Sequence, residues 1–128
     1  MTRAIISMGS NINAEANIAA AIARIERRHG VLGQSVLRTT APLGFSEQPD
    51  FLNGALLIET SMNRINLRSW LRAVEDDLGR VRTSNKNGPR TIDLDIVVWD
   101  DRIVDPDVHE RDFLRDAVRE LCPELLVD

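Results

Sequence analysis

Apolar residues recur along this chain in two rhythms, and the alternation between them predicts the order of its elements. Residues 3–8 are apolar and partly β-branched, and Gly9-Ser10-Asn11 follows as punctuation, which reads as a strand running into a turn. From Asn13 to His29 the apolar positions Ile18, Ala21, Ile22 and Ile25 fall at helical spacing, and Gly30 and Gly33 close the run. Val31 to Thr40 is β-branched and reads as a strand. Phe51 to Glu59, with Leu52, Ala55, Leu56, Leu57 and Ile58 at its centre, reads as another. The connection Ala41 to Asp50 is longer than a hairpin turn needs, which marks it as a candidate for function. Asn66 to Leu78 places Leu67, Trp70, Leu71, Val74 and Leu78 on one helical face, with Gly79 after it. A polar loop, Arg80 to Arg90, leads into the clearest strand, Thr91 to Trp99. A last helix from Arg111 to Leu121 carries the face Phe113, Leu114, Ala117, Val118 and Leu121.

The resulting order, β-α-β-β-α-β with a C-terminal helix added, predicts an α+β fold: a ferredoxin-like sandwich in which an antiparallel sheet carries helices on one face. Many activities use that frame, so function has to be argued from particular residues.

Composition narrows the classes. At 128 residues the chain is expected to form a single domain over 1–128, with 43% hydrophobic and 28% charged residues, as in ordinary globular proteins. A net charge of -4 and a pI near 5.2 argue against a general nucleic-acid binder, although a local arginine cluster can still hold a small polyanion. Cys122 is the single cysteine, so no internal disulfide can form. The first apolar run is too short for a signal peptide, and no stretch is long enough to cross a bilayer. A cytoplasmic monomer is expected, without nucleic-acid or membrane partners.

The candidate chemistry gathers around Gly88-Pro89-Arg90-Thr91-Ile92-Asp93-Leu94-Asp95-Ile96. Residues two apart on a strand share a face, so Asp93 and Asp95 project together and Ile92, Leu94 and Ile96 project oppositely. Neighbouring carboxylates repel, and a hard cation removes the conflict; Mg²⁺ suits carboxylates that share it with phosphate oxygens. A lone Asp-x-Asp is equally what a solvated strand face shows, but here Arg80, Arg82 and Arg90 flank it, and arginine grips phosphate with a planar fork. Phosphoryl transfer needs such electrostatic positioning more than covalent help. The loop residues from Thr83 to Gly88 have little to bury and suit a segment that closes over a nucleotide. Phe51 can stack on a flat heterocycle, Phe113 can supply an opposite wall, and the amide of Asn53 offers a donor and an acceptor to a heterocycle's edge.

These blocks resemble the 6-hydroxymethyl-7,8-dihydropterin pyrophosphokinase family of folate synthesis. The similarity runs from Gly9-Ser10-Asn11 through Arg38-Thr39-Thr40-Ala41-Pro42-Leu43-Gly44, Gln48-Pro49-Asp50-Phe51-Leu52-Asn53 and Leu78-Gly79-Arg80-Val81-Arg82. It peaks at Gly88-Pro89-Arg90-Thr91-Ile92-Asp93-Leu94-Asp95 and continues into His109-Glu110-Arg111-Asp112-Phe113 and Pro123-Glu124-Leu125. The resemblance implies a Mg²⁺-dependent enzyme that passes pyrophosphate from its co-substrate ATP to the pterin hydroxymethyl group and releases AMP. It implies that Asp93 and Asp95 hold two Mg²⁺ ions, that Arg82 and Arg90 bind phosphates, and that Arg80 assists. It also places Glu75, Ile96 and Arg111 at the nucleotide, and Thr40, Leu43, Phe51, Asn53 and Phe113 around the pterin.

The sequence departs from the family in places. Asp105 stands where members usually carry a histidine that contacts ATP phosphate; a negative charge there needs an offsetting cation. His109 matches a different position, Asp112 replaces a small residue, and Asn87 takes the place of a tryptophan found in some members. Arg115, Asp116 and Arg119 charge a helix that is more apolar in longer members, and that face is expected to meet solvent. Three alternatives stay open at this point: a paralogue that binds pterin or nucleotide without turnover, the same chemistry on another hydroxymethyl heterocycle, and an RNA-binding sandwich.

Overall fold

The computed structural model describes residues 1–42, 47–81 and 88–126. Its centre is β1 (Thr2–Ser10), paired antiparallel with β4 (Phe51–Thr60) on one side and with β5 (Asp93–Trp99) on the other. The outer edge of β4 is taken by two short strands, β2 (Gly30–Gln34) and β3 (Arg38–Thr40), and β6 (Arg102–Ile103) extends the sheet beyond β5. The strand order is β2-β4-β1-β5-β6, with β3 also on β4. Helices α1 (Ala14–Arg28) and α2 (Arg64–Asp77) follow β1 and β4. A four-residue helix α3 (Asp107–Glu110), then α4 (Asp112–Leu121) and a 3-10 turn (Pro123–Leu126), complete the chain's order. This is the expected α+β, ferredoxin-like sandwich.

Alternation along the strands sorts the residues between two faces. Ala4, Ile6 and Met8 of β1, Leu56 and Ile58 of β4, and Leu94 of β5 meet Ile18, Ala21 and Ile25 of α1 and Leu67, Leu71 and Val74 of α2 in a core with essentially no exposure. At roughly 1.5–3 kcal/mol for each fully buried large aliphatic side chain, this layer supplies most of the drive to fold. The helical periodicity read from the sequence named the inward residues of α1 and α2 correctly. Asn63 caps α2 by accepting from the Asn66 N–H at 2.8 Å, so that helix starts ahead of the expected Asn66.

The terminal helix does not join α1 and α2. Leu114, Ala117 and Val118 of α4 pack on Ile5, Ala55 and Val97 on the opposite face of the sheet. That face is apolar at one end and needs a cover, and the one-sided apolar stripe of α4 provides it. On α4, Arg115 is partly exposed and Asp116 and Arg119 are exposed, as expected for a face that meets solvent.

The strands expected over 31–40 and 91–99 depart from the expectation in ways that side chains explain. The run from Val31 to Thr40 is broken into β2 and β3, because side chains replace ladder partners at the break. Ser35 Oγ accepts from the Ala55 N–H at 2.9 Å, and the Glu120 carboxylate accepts from the Val36 N–H at 3.1 Å. β5 begins at Asp93 rather than Thr91, since the Thr91 carbonyl is taken by the Ser10 hydroxyl at 2.6 Å. β5 also carries a bulge, its register against β1 shifting between Ile5 and Ile6, so that Val97 and Val98 both enter the α4 core. The turn into β6 uses Asp100 and Asp101 at positive φ (52° and 61°), a conformation aspartate tolerates better than most residues. Among the described residues no helix is long and apolar enough to cross a membrane.

Candidate active site

The apolar filling of the α4 face stops halfway along the strands. Toward the end of the sheet where β1 finishes and β4 and β5 begin, the outward residues change to Ser7 and Gly9 on β1, Phe51 and Asn53 on β4, and Asp93 and Asp95 on β5. Register aligns them: Gly9 sits between Asn53 and Asp93, and Ser7 between Ala55 and Asp95. A cavity of about 750 Å³ opens there, closed on its far side by Arg111, Asp112 and Phe113 from the start of α4. A smaller cavity of about 230 Å³ lies on the other side of the β5–β6 edge, against Arg64, Arg68 and Arg72 of α2. Asp95 and Asp105 line both cavities.

Two features shape the floor of the larger cavity. A methyl group at Gly9 would lie 2.9 Å from Asn53 Oδ1, so only glycine lets the two strands present that amide at this height. Asn53 is itself oriented, its Nδ2 donating to Thr40 Oγ1 at 2.6 Å. Buried Asn11 joins three segments: its N–H donates to the Arg90 carbonyl at 3.1 Å, its Oδ1 accepts from the Arg90 N–H at 2.8 Å, and its Nδ2 donates to Gln48 Oε1 at 2.7 Å and the Pro49 carbonyl at 3.1 Å. The Gly-Ser-Asn turn therefore fixes the start of the Asp-x-Asp strand and the approach to Phe51.

Charge is arranged around a buried carboxylate. Glu75 of α2 is fully buried; it accepts from Arg72 at 2.9 Å, from Arg80 at 3.0 Å and from the Leu94 N–H at 2.7 Å. Arg80 continues to Asp93 Oδ1 at 2.9 Å, and Arg90 approaches Asp93 Oδ2 at 3.7 Å while its guanidinium carbon stands 5.6 Å from the Phe51 ring centre. Arg72 reaches Asp95 at 3.5 Å. Partial burial on the cavity floor, then repulsion from Asp93, pushes the Asp95 carboxyl up to about 7, with Arg72 opposing the shift.

The structure thus brings together Arg90, Asp93, Asp95, Thr40, Phe51, Asn53, Arg111 and Phe113 around one space, while Arg80 stands behind it and reaches it through Asp93. Phe51 and Phe113 are half-buried and line the same cavity, Phe113 also leaning on the α4 core. Ile96 lines the smaller cavity, and Glu75 lies beneath the carboxylate pair with its oxygens engaged, so a ribose contact there requires one of those bonds to open. Arg82 and Leu43 lie outside the described residues, as do residues 83–87 of the expected closing loop. Asp105 stands at the wall between the cavities, its Oδ1 accepting from the Asp107 N–H at 2.9 Å. Sequence reasoning missed Arg72 as a partner of the site; the available signal was its position three residues before Glu75 on one helix. It also missed Asn11 as a tether, because hydrogen bonds to distant segments leave no periodicity.

Two carboxylates backed by arginines, beside a cavity walled by aromatic rings and an oriented amide, suit transfer between a polyphosphate and a flat heterocycle. Comparison with known proteins agrees. The chain matches the 7,8-dihydro-6-hydroxymethylpterin-pyrophosphokinase (HPPK) family over residues 5–123 and belongs to it. It is 35% identical to the 2-amino-4-hydroxy-6-hydroxymethyldihydropteridine pyrophosphokinase of Methylorubrum extorquens, over 99% of this chain and 87% of that protein. The protein of the same name from Haemophilus influenzae is 31% identical over 99% of this chain and 86% of its own length. The folic acid synthesis protein fol1 of Schizosaccharomyces pombe is 37% identical over 96% of this chain, which spans only 18% of that longer protein.

Proposed function

We propose that this protein transfers pyrophosphate from ATP to the hydroxymethyl group of 6-hydroxymethyl-7,8-dihydropterin and releases AMP, a step of folate synthesis. Family membership carries the reaction class. The single observation that carries the site is the meeting of Asp93, Asp95, Phe51, Asn53 and Phe113 around one cavity. The reading is of a single domain that acts as a monomer in the cytoplasm.

Asp93 and Asp95 would hold Mg²⁺. Their fit is that of a shared site: among the described residues no group of three or more His, Cys, Asp or Glu is placed to hold a metal by itself, so phosphate oxygens and water must complete the shell. Held there by Asp93 and Asp95, Mg²⁺ would offset phosphate charge and make the phosphorus more electrophilic. Two ions fit two adjacent carboxylates facing a triphosphate. Arg90, beside Asp93, and Arg82 would bind the phosphates, while Arg80 keeps Asp93 turned toward the cavity from its anchor on Glu75. Ile96, Glu75 and Arg111 would lie at the nucleotide. Phe51 and Phe113 would hold the pterin ring between them, and Asn53, with Thr40 and Leu43, would read its edge. The acceptor hydroxyl attacks the β-phosphorus and loses its proton to solvent, the bond from that phosphorus to the α-phosphate oxygen breaks, and AMP departs with that oxygen. Orientation of the two substrates supplies much of the acceleration.

The test is AMP release measured by chromatography with ATP, Mg²⁺ and the reduced pterin. AMP that requires both Mg²⁺ and the pterin supports the reading. A protein that binds the pterin or ATP and makes no AMP contradicts it, and Asp105→His is then the variant that asks whether this one departure removed activity.

A further inference from the structure

Arg72 lies in none of the sequence blocks that carry the family resemblance, yet it is bonded into the centre of the site. Its Nη1 donates to both oxygens of buried Glu75, at 2.9 and 3.2 Å, and its Nη2 stands 3.5 Å from Asp95 Oδ1. The arrangement has a counterpart across the carboxylate pair, where Arg80 holds Glu75 at 3.0 Å and Asp93 at 2.9 Å. Each carboxylate of the pair therefore faces an arginine that is also held by the same buried glutamate. A bare divalent cation that enters must displace a guanidinium or sit beside one, and neither is favourable. A cation that arrives with a polyphosphate brings anionic oxygens which the displaced guanidinium can accept as partners. Arg72 has somewhere to turn: it lines the smaller cavity together with Arg68 and Ile96, and its Nη1 bonds to Glu75 form a pivot that a swing of Nη2 need not break.

We infer that Arg72 is a positioning residue that serves as the counterion of Asp95 before nucleotide arrives, and that it releases Asp95 to the metal only when a polyphosphate accompanies that metal. Metal binding is thereby conditional on nucleotide. The inference rests on the metal assignment proposed above. It extends that assignment to the order in which the site fills.

The test uses Mn²⁺, followed by paramagnetic resonance, with the whole protein and no pterin. Titrations are run without nucleotide and then with α,β-methylene-ATP, for wild type, Arg72→Gln and Arg72→Lys. Arg72→Gln keeps a donor for Glu75 and removes the charge. It is expected to bind Mn²⁺ alone about three- to tenfold more tightly than wild type, a modest gain because the pair is partly solvated. It is expected to bind Mn²⁺ with the nucleotide about as much more weakly, and its KM for ATP rises more than its kcat falls. Arg72→Lys keeps the charge and is expected to follow wild type for Mn²⁺ alone. Opposite shifts of the two affinities in Arg72→Gln support the inference, since a merely structural disturbance weakens both. A fall in both affinities, no change in either, or a gain for Mn²⁺ alone in Arg72→Lys equal to that in Arg72→Gln overturns it. If wild type with nucleotide takes up no Mn²⁺ that Asp95→Asn abolishes, the metal assignment itself fails, and this inference fails with it.

Discussion

The two faces of the sheet are made by the same three strands and differ in what their alternate residues do. On the α1/α2 face, β1, β4 and β5 present Ala4, Ile6, Met8, Leu56, Ile58 and Leu94, and two helices cover the whole width. On the other face the sequence of side chains changes character halfway: Ile5, Ala55 and Val97 lie under α4, and beyond them Ser7, Gly9, Asn53, Asp93 and Asp95 lie under open space. A single short helix covers half a face, and the uncovered half is the cavity. One face thus holds the fold and half of the other carries the proposed site, and alternation at a period of two residues keeps the two separable in mutation.

The contrast extends to protons. His29, on the closed face, is buried with its Nδ1 3.0 Å from Thr60 Oγ1 and its ring set edge-on to Trp70; burial, then Arg28, lowers its pKa from 6.5. Asp95, on the open face, is shifted the other way, from 3.8 up to about 7. A depressed histidine favours the fold fully above its unfolded value of 6.5, and that contribution is lost as pH falls below it. A raised carboxyl favours the fold while protonated, and the metal-free protein loses that contribution as pH rises from about 4 to about 7.

The largest effect that can sharpen this comparison is on the open side. Asp93→Ala removes a partner of Arg80 and Arg90 as well as a proposed metal ligand, and is expected to slow steady-state AMP release at least about 10³-fold. Thermal melting of the same variant should show a folded protein; collapse of the fold instead would mean that the site is part of the scaffold. The converse experiment is on the closed side. Ile25→Ala, at a fully buried position of α1, is expected to cost about 2–5 kcal/mol in urea unfolding. Its KM values at a temperature where it remains folded should equal those of wild type, and a shift in them would show that the two faces are coupled.

A smaller effect is expected at Gly9. A methyl group 2.9 Å from Asn53 Oδ1 must push that amide, and Asn53 cannot move without straining its bond to Thr40. Gly9→Ala should raise the pterin KM about tenfold and change the ATP KM little; equal changes in both would detach Asn53 from pterin recognition. The smallest effect is on melting temperature. Asp95→Asn removes a carboxylate that the metal-free protein ionises at a cost, so it should melt a few degrees higher than wild type near pH 8 and show little difference near pH 4. A lower melting temperature at pH 8 would mean that the Arg72 contact outweighs the cost of ionisation.

Periodicity made most of the frame legible: α1, α2 and α4 appear with their inward faces as read, and the strand order follows from the element order. What it could not supply is where a helix lands. The stripe of α4 fits either face of a sheet, and only the unfilled Ile5, Ala55 and Val97 decide the matter. The break between β2 and β3 was hidden because a serine hydroxyl and the distant Glu120 carboxylate stand in for ladder partners. β6 and α3 are too short to show a period. In the site, the Asp-x-Asp spacing and the flanking arginines were legible because they are local. Arg72, Asn11 and the position of Asp105 between two cavities were not, since each acquires its meaning from elements far away in sequence.

The measurement that bears most directly on the division between scaffold and site combines two readings on one sample of Asp95→Asn: pterin binding by calorimetry, and single-turnover AMP release with Mg²⁺ and ATP. The account predicts a folded protein that still binds the pterin and releases AMP at least about 10³-fold more slowly than wild type. Turnover near the wild-type rate in that sample would contradict the assignment of the carboxylate pair, and with it the claim that the open half of this face is where pyrophosphate is transferred.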